Sequence, residues 1–225
     1  MDMEKTINIF GIEIDNKTAK ESMKSAIAMM DSDGLSTIEL ITMDMLLKEQ
    51  ENQEMKEAVR RMDLVLPGTN EILKTAGLTG ARCLQRPSER PFLQMFLKYL
   101  QKNKKRIFLL ADNEGERETA ADELMKTYKG LMIVGSAVMP EENSEDQIVN
   151  EINGLEVDCI LSVLASPRQE LFISHTSTLL NAKVWVGMSG LFREKQEEQK
   201  HIYKIKNFLI RKLFRHQVDK QKKQE

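Results

Sequence analysis

Cysteine is nearly absent from this 225-residue chain, with Cys83 and Cys159 its only two. Two thiols cannot build a disulfide framework, so a reducing, cytoplasmic setting is the simpler expectation. Aromatic residues make up 5%, with one tryptophan, which argues against a base-stacking platform. Neither sign of charge dominates: 33 Lys and Arg face 35 Asp and Glu, for a net charge of −2. A nucleic-acid binder that is basic over its whole surface is therefore not expected. The opening Met-Asp-Met-Glu-Lys lacks the basic and apolar regions of a signal peptide. No apolar run approaches the ~20 residues of a spanning helix. Membrane contact, if the protein makes any, is expected to be peripheral.

What is present suits an ordinary folded domain. Hydrophobic residues make up 41% and charged residues 30%, which excludes a fully disordered or collagen-like chain. A compact domain of this length buries roughly 70–75% of its unfolded surface, so it needs no disulfide or metal to fold. Short apolar runs alternate with longer amphipathic stretches. Residues 7–14, Ile-Asn-Ile-Phe-Gly-Ile-Glu-Ile, read as one strand. Thr18 then caps a helix, with Glu21 at the capping-box position and Gly34 beyond the helix end. Further strands are expected at 35–42, 63–67, 106–111, 131–135, 157–163 and 183–187. Helices are expected at 43–61 (one or two), 91–103, 114–127, 144–153 and 167–180, with a helical turn at 71–77. Residues 79–90 read as irregular. Strands alternating with helices predict a mostly parallel, Rossmann-like α/β sheet with helices on both faces. Such sheets bind ligands in loops beyond the carboxyl ends of their strands.

The C-terminal stretch differs in charge. Residues 200–225 hold nine basic side chains and two acidic ones, +7 together, which against the chain's −2 leaves −9 on the rest. Ile202, Ile205, Phe208, Leu209, Leu213 and Phe214 form an apolar stripe between those charges. The reading is a domain over 1–195 followed by a basic amphipathic appendage over 196–225. The appendage either packs on the body or lies on an anionic membrane surface.

Four strand ends are places for chemistry. Thr42 and Asp44 follow the strand at 35–42. A hydroxyl and a carboxylate there can bind a sugar or hold a water, but read alone they cap the next helix. Pro67-Gly68-Thr69-Asn70 brings hydrogen-bonding groups and no general base. Asp112, Glu114, Glu116 and Glu118 suit a helix dipole and would repel a diphosphate, so capping is the reading there. Ser166-Pro167-Arg168-Gln169-Glu170 opens a helix with Ser166 as N-cap, Pro167 at the first position and Gln169 completing a capping box. Arg168 adds a cation where free N–H groups gather, as a diphosphate contact would need. Asp31-Ser32-Asp33 resembles a metal-nucleotide motif but sits where a helix terminates. His175, His201 and His216 have no Cys/His cluster around them, so no metal site is expected.

In order along the chain, Ile7–Asp15, Ile41-Thr42, Asp63–Pro67, Arg106–Leu110, Ser166–Glu170, Val186-Gly187, Gly190 and Phe192 resemble the blocks of WecG/TagA/CpsF glycosyltransferases, over about residues 6–215. That resemblance implies transfer of N-acetylmannosamine, or its uronic acid, from a UDP-sugar. The acceptor would be N-acetylglucosamine on a polyprenyl diphosphate, in teichoic acid or cell-envelope polysaccharide synthesis. It also implies a Rossmann-like fold, no required metal or cofactor, and an appendage at the membrane, and it leaves a homo-oligomer open. Carried onto this chain, Thr42 would meet the sugar, and Ser166, Arg168, Gln169 and Glu170 would hold the nucleotide.

The departures from the family pattern bear on the chemistry. Pro67-Gly68-Thr69 stands where the family has Pro-Asp-Gly, so the carboxylate proposed there as general base is missing. Asp44 replaces an Asn and is the substitute base on this reading. Ala111-Asp112, Ser166 and Ser189-Gly190-Leu191-Phe192-Arg193 replace a Gly-Gly turn, a Gly and a Gly-Gly-Ser-Phe-Asp block. The alternative is a relative that keeps the fold without catalysis, as a binding or regulatory partner in envelope glycan synthesis.

Overall fold

The computed structural model describes residues 5–78, 80, 91–139, 145–188 and 201–223, with the backbone alone at 201–207. The irregular stretch expected at 79–90 and the block at 189–193 lie almost wholly outside the described residues, as does Cys83.

The chain opens with a hairpin, β1 (Thr6–Ile9) and β2 (Ile12–Asp15), in place of the single strand expected at 7–14. Its two turn residues, Phe10 and Gly11, have φ of 55° and 82°, as a tight primed turn requires. The turn reverses the chain so that Ile7, Ile9, Ile12 and Ile14 all face inward.

Six strands then form one parallel sheet in the order β4-β3-β8-β7-β5-β6. They are β3 (Ser36–Ile41), β4 (Leu64–Pro67), β5 (Arg106–Ala111), β6 (Met132–Val138), β7 (Cys159–Ser162) and β8 (Val184–Gly187). The central strands are buried on both faces, which is why they read as continuous apolar runs. The helices are α1 (Ala19–Asp31), α2 (Met43–Glu49), α3 (Gln53–Arg60), α4 (Asn70–Thr75), α5 (Pro91–Lys102), α6 (Glu114–Thr127), α7 (Glu145–Asn153), α8 (Arg168–Thr176) and α9 (His201–Gln221). The expected capping box opens α1. Thr18 Oγ1 accepts from the Glu21 N–H at 3.3 Å, and the Glu21 carboxylate accepts from the Thr18 N–H at 2.8 Å.

Alternate residues of each strand face opposite layers. Ile38, Leu40, Leu109, Leu161 and Val186 pack with α1, α5 and α6. The other face carries two separate apolar clusters. One joins Ile41 and Val65 to the hairpin, α2, α3, α4 and α9. The second joins Phe108, Ile160 and Trp185 to α7 and α8. Between these clusters, on β3, lies Glu39, which is fully buried.

The hairpin protects the sheet edge at β4. The Asp15 carboxylate accepts from the Val65 N–H at 3.0 Å, a backbone donor that an edge strand would otherwise leave open. The C-terminal helix α9 docks on this region through Phe214 and Val218, both buried. The Phe214 ring lies 5.3 Å from that of Phe10, and Arg211 pairs with Glu71 at 2.5 Å. Among the described residues, no helix is long and apolar enough to cross a membrane.

Candidate functional site

The chain leaves β5 toward β6 on one side and leaves β7 toward β8 on the other, although β5 and β7 are neighbours. Their loops therefore part at this point, which is where open α/β sheets form a ligand crevice. Asp112, just past β5, bridges the gap. Its carboxylate accepts from the Ala165 N–H at 2.6 Å and from Arg168 at 3.4 Å. Asp112 does not cap α6. Asn113 does, accepting from the Glu116 N–H at 3.0 Å.

Thr42 and Asp44 sit at the carboxyl end of β3. Thr42 is buried and caps α2, its hydroxyl accepting from the Met45 N–H at 3.3 Å. Asp44 is half-exposed and pairs with Lys48 one turn later at 2.9 Å. The Lys48 ammonium also donates to the Ser166 carbonyl at 3.3 Å. One lysine thus ties the 42–48 segment to the 166–170 segment, with β8 between the two parent strands.

The 166–170 segment differs from the expected capping box. The helix begins at Arg168, Pro167 takes the N-cap place, and no side chain caps it. The Ser166 hydroxyl donates to the Glu170 carboxylate, and the Ser166–Pro167 peptide is cis. The Gln169 amide donates to Glu39 at 2.9 Å. Gln169 and Glu170 are both fully buried, so their side chains turn into the protein and hold the loop from below. The local pattern gave way because a carboxylate under the sheet face needs a donor, and Gln169 supplies it. Of the four residues assigned to the nucleotide, only Arg168 has a substantially accessible side chain, about one third exposed.

Glu39, Glu49 and Glu170 form a buried acidic group that sequence reasoning did not single out. Burial is the main cause holding Glu39 well above the usual carboxylate range, with the charges of Glu170 and Glu49 adding to it. Burial likewise lifts Glu49 to about 8, helped by Glu170 and opposed by Lys56 and Arg60. Glu170 is also raised by burial, against the Ser166 hydroxyl, its own amide and Lys48. The one local signal was Glu39 itself, a lone carboxylate in the apolar run Ile38-Glu39-Leu40-Ile41.

Gly187 of β8 lies against this group. A Cβ there would collide with Glu39 Oε2 and Gln169 Nε2. Gly187→Ala is therefore expected to destabilise the protein by about 1–3 kcal/mol through overpacking. Urea denaturation would measure it; an unchanged midpoint would show that the side chains relax freely.

A small, open cleft with a cavity volume of about 40 Å³ lies at the carboxyl ends of β3 and β4, on the face covered by α1 and α5. Leu40, Leu66, Pro67, Phe92 and Leu93 give it apolar walls, and Lys17, Ser22 and Asn70 bring polar groups. Gly68, where the resembled family carries its aspartate, is part of the lining. Among the described residues the lining includes no Asp, Glu or His, and none of Thr42, Asp44 or the 166–170 loop. Likewise, among the described residues, no group of three or more His, Cys, Asp or Glu is placed to hold a metal.

Comparison with known proteins agrees with this architecture. No curated protein matches the chain significantly. The family model described as the glycosyl transferase WecG/TagA/CpsF family matches residues 7–202. That span runs from the hairpin through the parallel sheet to the first turn of α9, so it takes in every element that positions the site. The chain belongs to the WecG/TagA/CpsF family of glycosyltransferases, which implies glycosyl transfer in cell-envelope polysaccharide synthesis.

Proposed function

We propose that this protein moves an N-acetylmannosamine-type sugar from UDP to a hydroxyl of a polyprenyl-diphosphate-linked N-acetylglucosamine. The observation that carries this reading is the Lys48 bridge, which sets the 42–48 segment and the 166–168 loop side by side over one sheet edge. Arg168, on turning from Asp112 to the ligand, supplies positive charge for a diphosphate, and the loop N–H groups beyond Ala165 add donors. Thr42 and Asp44 then lie on the sugar side. In the step itself, the acceptor oxygen bonds to the anomeric carbon as the bond from that carbon to the phosphate oxygen breaks. The electron pair leaves with UDP, and the acceptor proton passes to the Asp44 carboxylate. No metal or cofactor is assigned a part in this scheme.

A second reading has its own observation. Among the described residues the cleft at Gly68 carries no carboxylate, as expected of a relative that binds without turning over. Calorimetry and a transfer assay separate the two. UDP binding with transfer to the lipid acceptor supports the first reading. Binding without transfer supports the second, and absence of UDP binding at millimolar ligand defeats the nucleotide reading altogether.

The proposal extends to a peripheral membrane contact. Phe208, Leu209 and Leu213 are exposed by more than half on α9, beside the exposed Lys212 and Arg215. An apolar strip flanked by cations suits an anionic bilayer surface. Co-sedimentation with vesicles rich in phosphatidylglycerol is expected for the wild type and lost in a Phe208→Ser, Leu213→Ser double variant. Equal sedimentation of both would exclude α9 as the contact.

A further inference from the structure

The buried carboxyls take no part in the transfer step, yet they lie directly beneath the loop assigned to the nucleotide. Glu39, Glu49 and Glu170 come from β3, α2 and α8, and each is at most 1% exposed. Among the described residues, five acceptor atoms in and beside this group have no donor: Glu39 Oε2, both carboxylate oxygens of Glu49, Glu170 Oε2 and Gln169 Oε1. Buried acceptors at this density need donors of some kind.

Among the described residues, the surrounding cations do not supply them. Lys56 and Arg60 of α3 are drawn to the hairpin, donating to the Phe10 and Gly11 carbonyls at 2.6 and 3.0 Å. Lys48 of α2 is held by Asp44 and the Ser166 carbonyl. Arg168 and Asp112 face each other on the far side of the loop. Hydrogen carried by the carboxyls themselves would meet this need, since a neutral carboxyl is a donor as well as an acceptor.

We propose that Glu39, Glu49 and Glu170 stand together as neutral carboxyls and, through Gln169 and Ser166, act as positioning residues for the 165–168 loop. The claim rests on the reading that this loop meets the nucleotide. Gln169 grips Glu39 and Ser166 grips Glu170, so both anchors of the loop end on the cluster. Loss of these protons places like charges together in a dry site, where they repel strongly. Each anchor taken alone would tighten on a charged acceptor, but the repulsion drives the carboxylates apart and carries the loop with them. UDP affinity is accordingly expected to fall as pH rises.

The test uses the full-length protein, wild type and Glu49→Gln, with Glu170→Gln as a second variant in case the first does not fold. Infrared spectroscopy at neutral pH should show a protonated-carboxyl carbonyl band in the wild type that is weaker in the variant. Calorimetry with UDP between pH 6.5 and 8.5 should show the wild type losing about tenfold in affinity relative to the variant, whose amide cannot ionise. Comparing the two proteins at each pH cancels the titration of UDP itself. Absence of the band in the wild type overturns the proposal, and so do superimposable pH profiles. If UDP binds neither protein, the nucleotide reading has failed. Hydrogen exchange at the Ala165, Ser166 and Arg168 amides then decides the positioning claim: pH-dependent loosening in the wild type only supports it, and equal exchange overturns it.

Discussion

Asp44→Asn is expected to lower the rate of sugar transfer by roughly 10²–10⁴-fold, the usual cost of removing a general base. The expectation follows from where the carboxylate sits. It lies in the first turn of α2, directly beyond the carboxyl end of β3, and is 44% exposed at the side chain. The capping of α2 does not depend on it, because Thr42 makes that bond. Asparagine keeps the shape and can still face Lys48, so the fold and the Lys48–Ser166 tie are expected to survive. The loss should fall on kcat, with the UDP-sugar KM nearly unchanged, because the base meets the acceptor hydroxyl and not the donor. Following labelled sugar into a lipid-linked N-acetylglucosamine acceptor measures it. Full activity in the variant would remove Asp44 from the reaction. Thr42 is a poorer probe, since replacing an N-cap also costs about 0.5–2 kcal/mol of stability.

The second large effect concerns stability against pH. Glu49 has an ordinary value of 4.5 and stands at about 8 in the folded protein. The folded state therefore holds a proton between those values that the unfolded chain releases. Stability is greatest below about pH 4.5 for this group and falls as pH rises toward 8, by about 1.4 kcal/mol per pH unit. From pH 5 to 8 the decrease from Glu49 alone is on the order of 4 kcal/mol. Glu39 and Glu170 are displaced in the same direction and add to it. Carboxylates in surface ion pairs give the opposite slope, so the sign is diagnostic. Urea denaturation at pH 5, 6.5 and 8 should show the decrease in the wild type and a flatter profile in Glu49→Gln. A wild-type stability that rises over this interval would mean that the cluster is ionised in the folded protein.

Much of the fold was legible because its causes are local. The strand at 106–111 and the capping box at Thr18 and Glu21 stand where propensity and hydrogen-bonding chemistry place them. The hairpin was misread although its signal was present. Ile7 and Ile9 are odd-numbered while Ile12 and Ile14 are even, and a continuous strand could not bury both pairs on one face. That change of parity is the turn at Phe10-Gly11.

The site was less legible because its contacts are distant in sequence. Gln169 bonds Glu39 across 130 residues, and Lys48 reaches Ser166 across 118. Read alone, Ser166, Pro167 and Gln169 make a good helix start, and only the buried Glu39 explains why they do otherwise. Asp112 read as a cap for the same reason; its partners, Ala165 and Arg168, lie on a different loop. Gly187 carried no local signal, since its need to be small is set by Glu39 and Gln169.

A crystal of the full-length protein soaked with UDP bears most directly on the central claim, that the loops after β3, β5 and β7 enclose a single nucleotide site. The account predicts density for the diphosphate against the Arg168 side chain and the Ser166 and Arg168 amides, with the open end directed at Asp44. UDP lodged elsewhere on the molecule, with these loops empty, would contradict it.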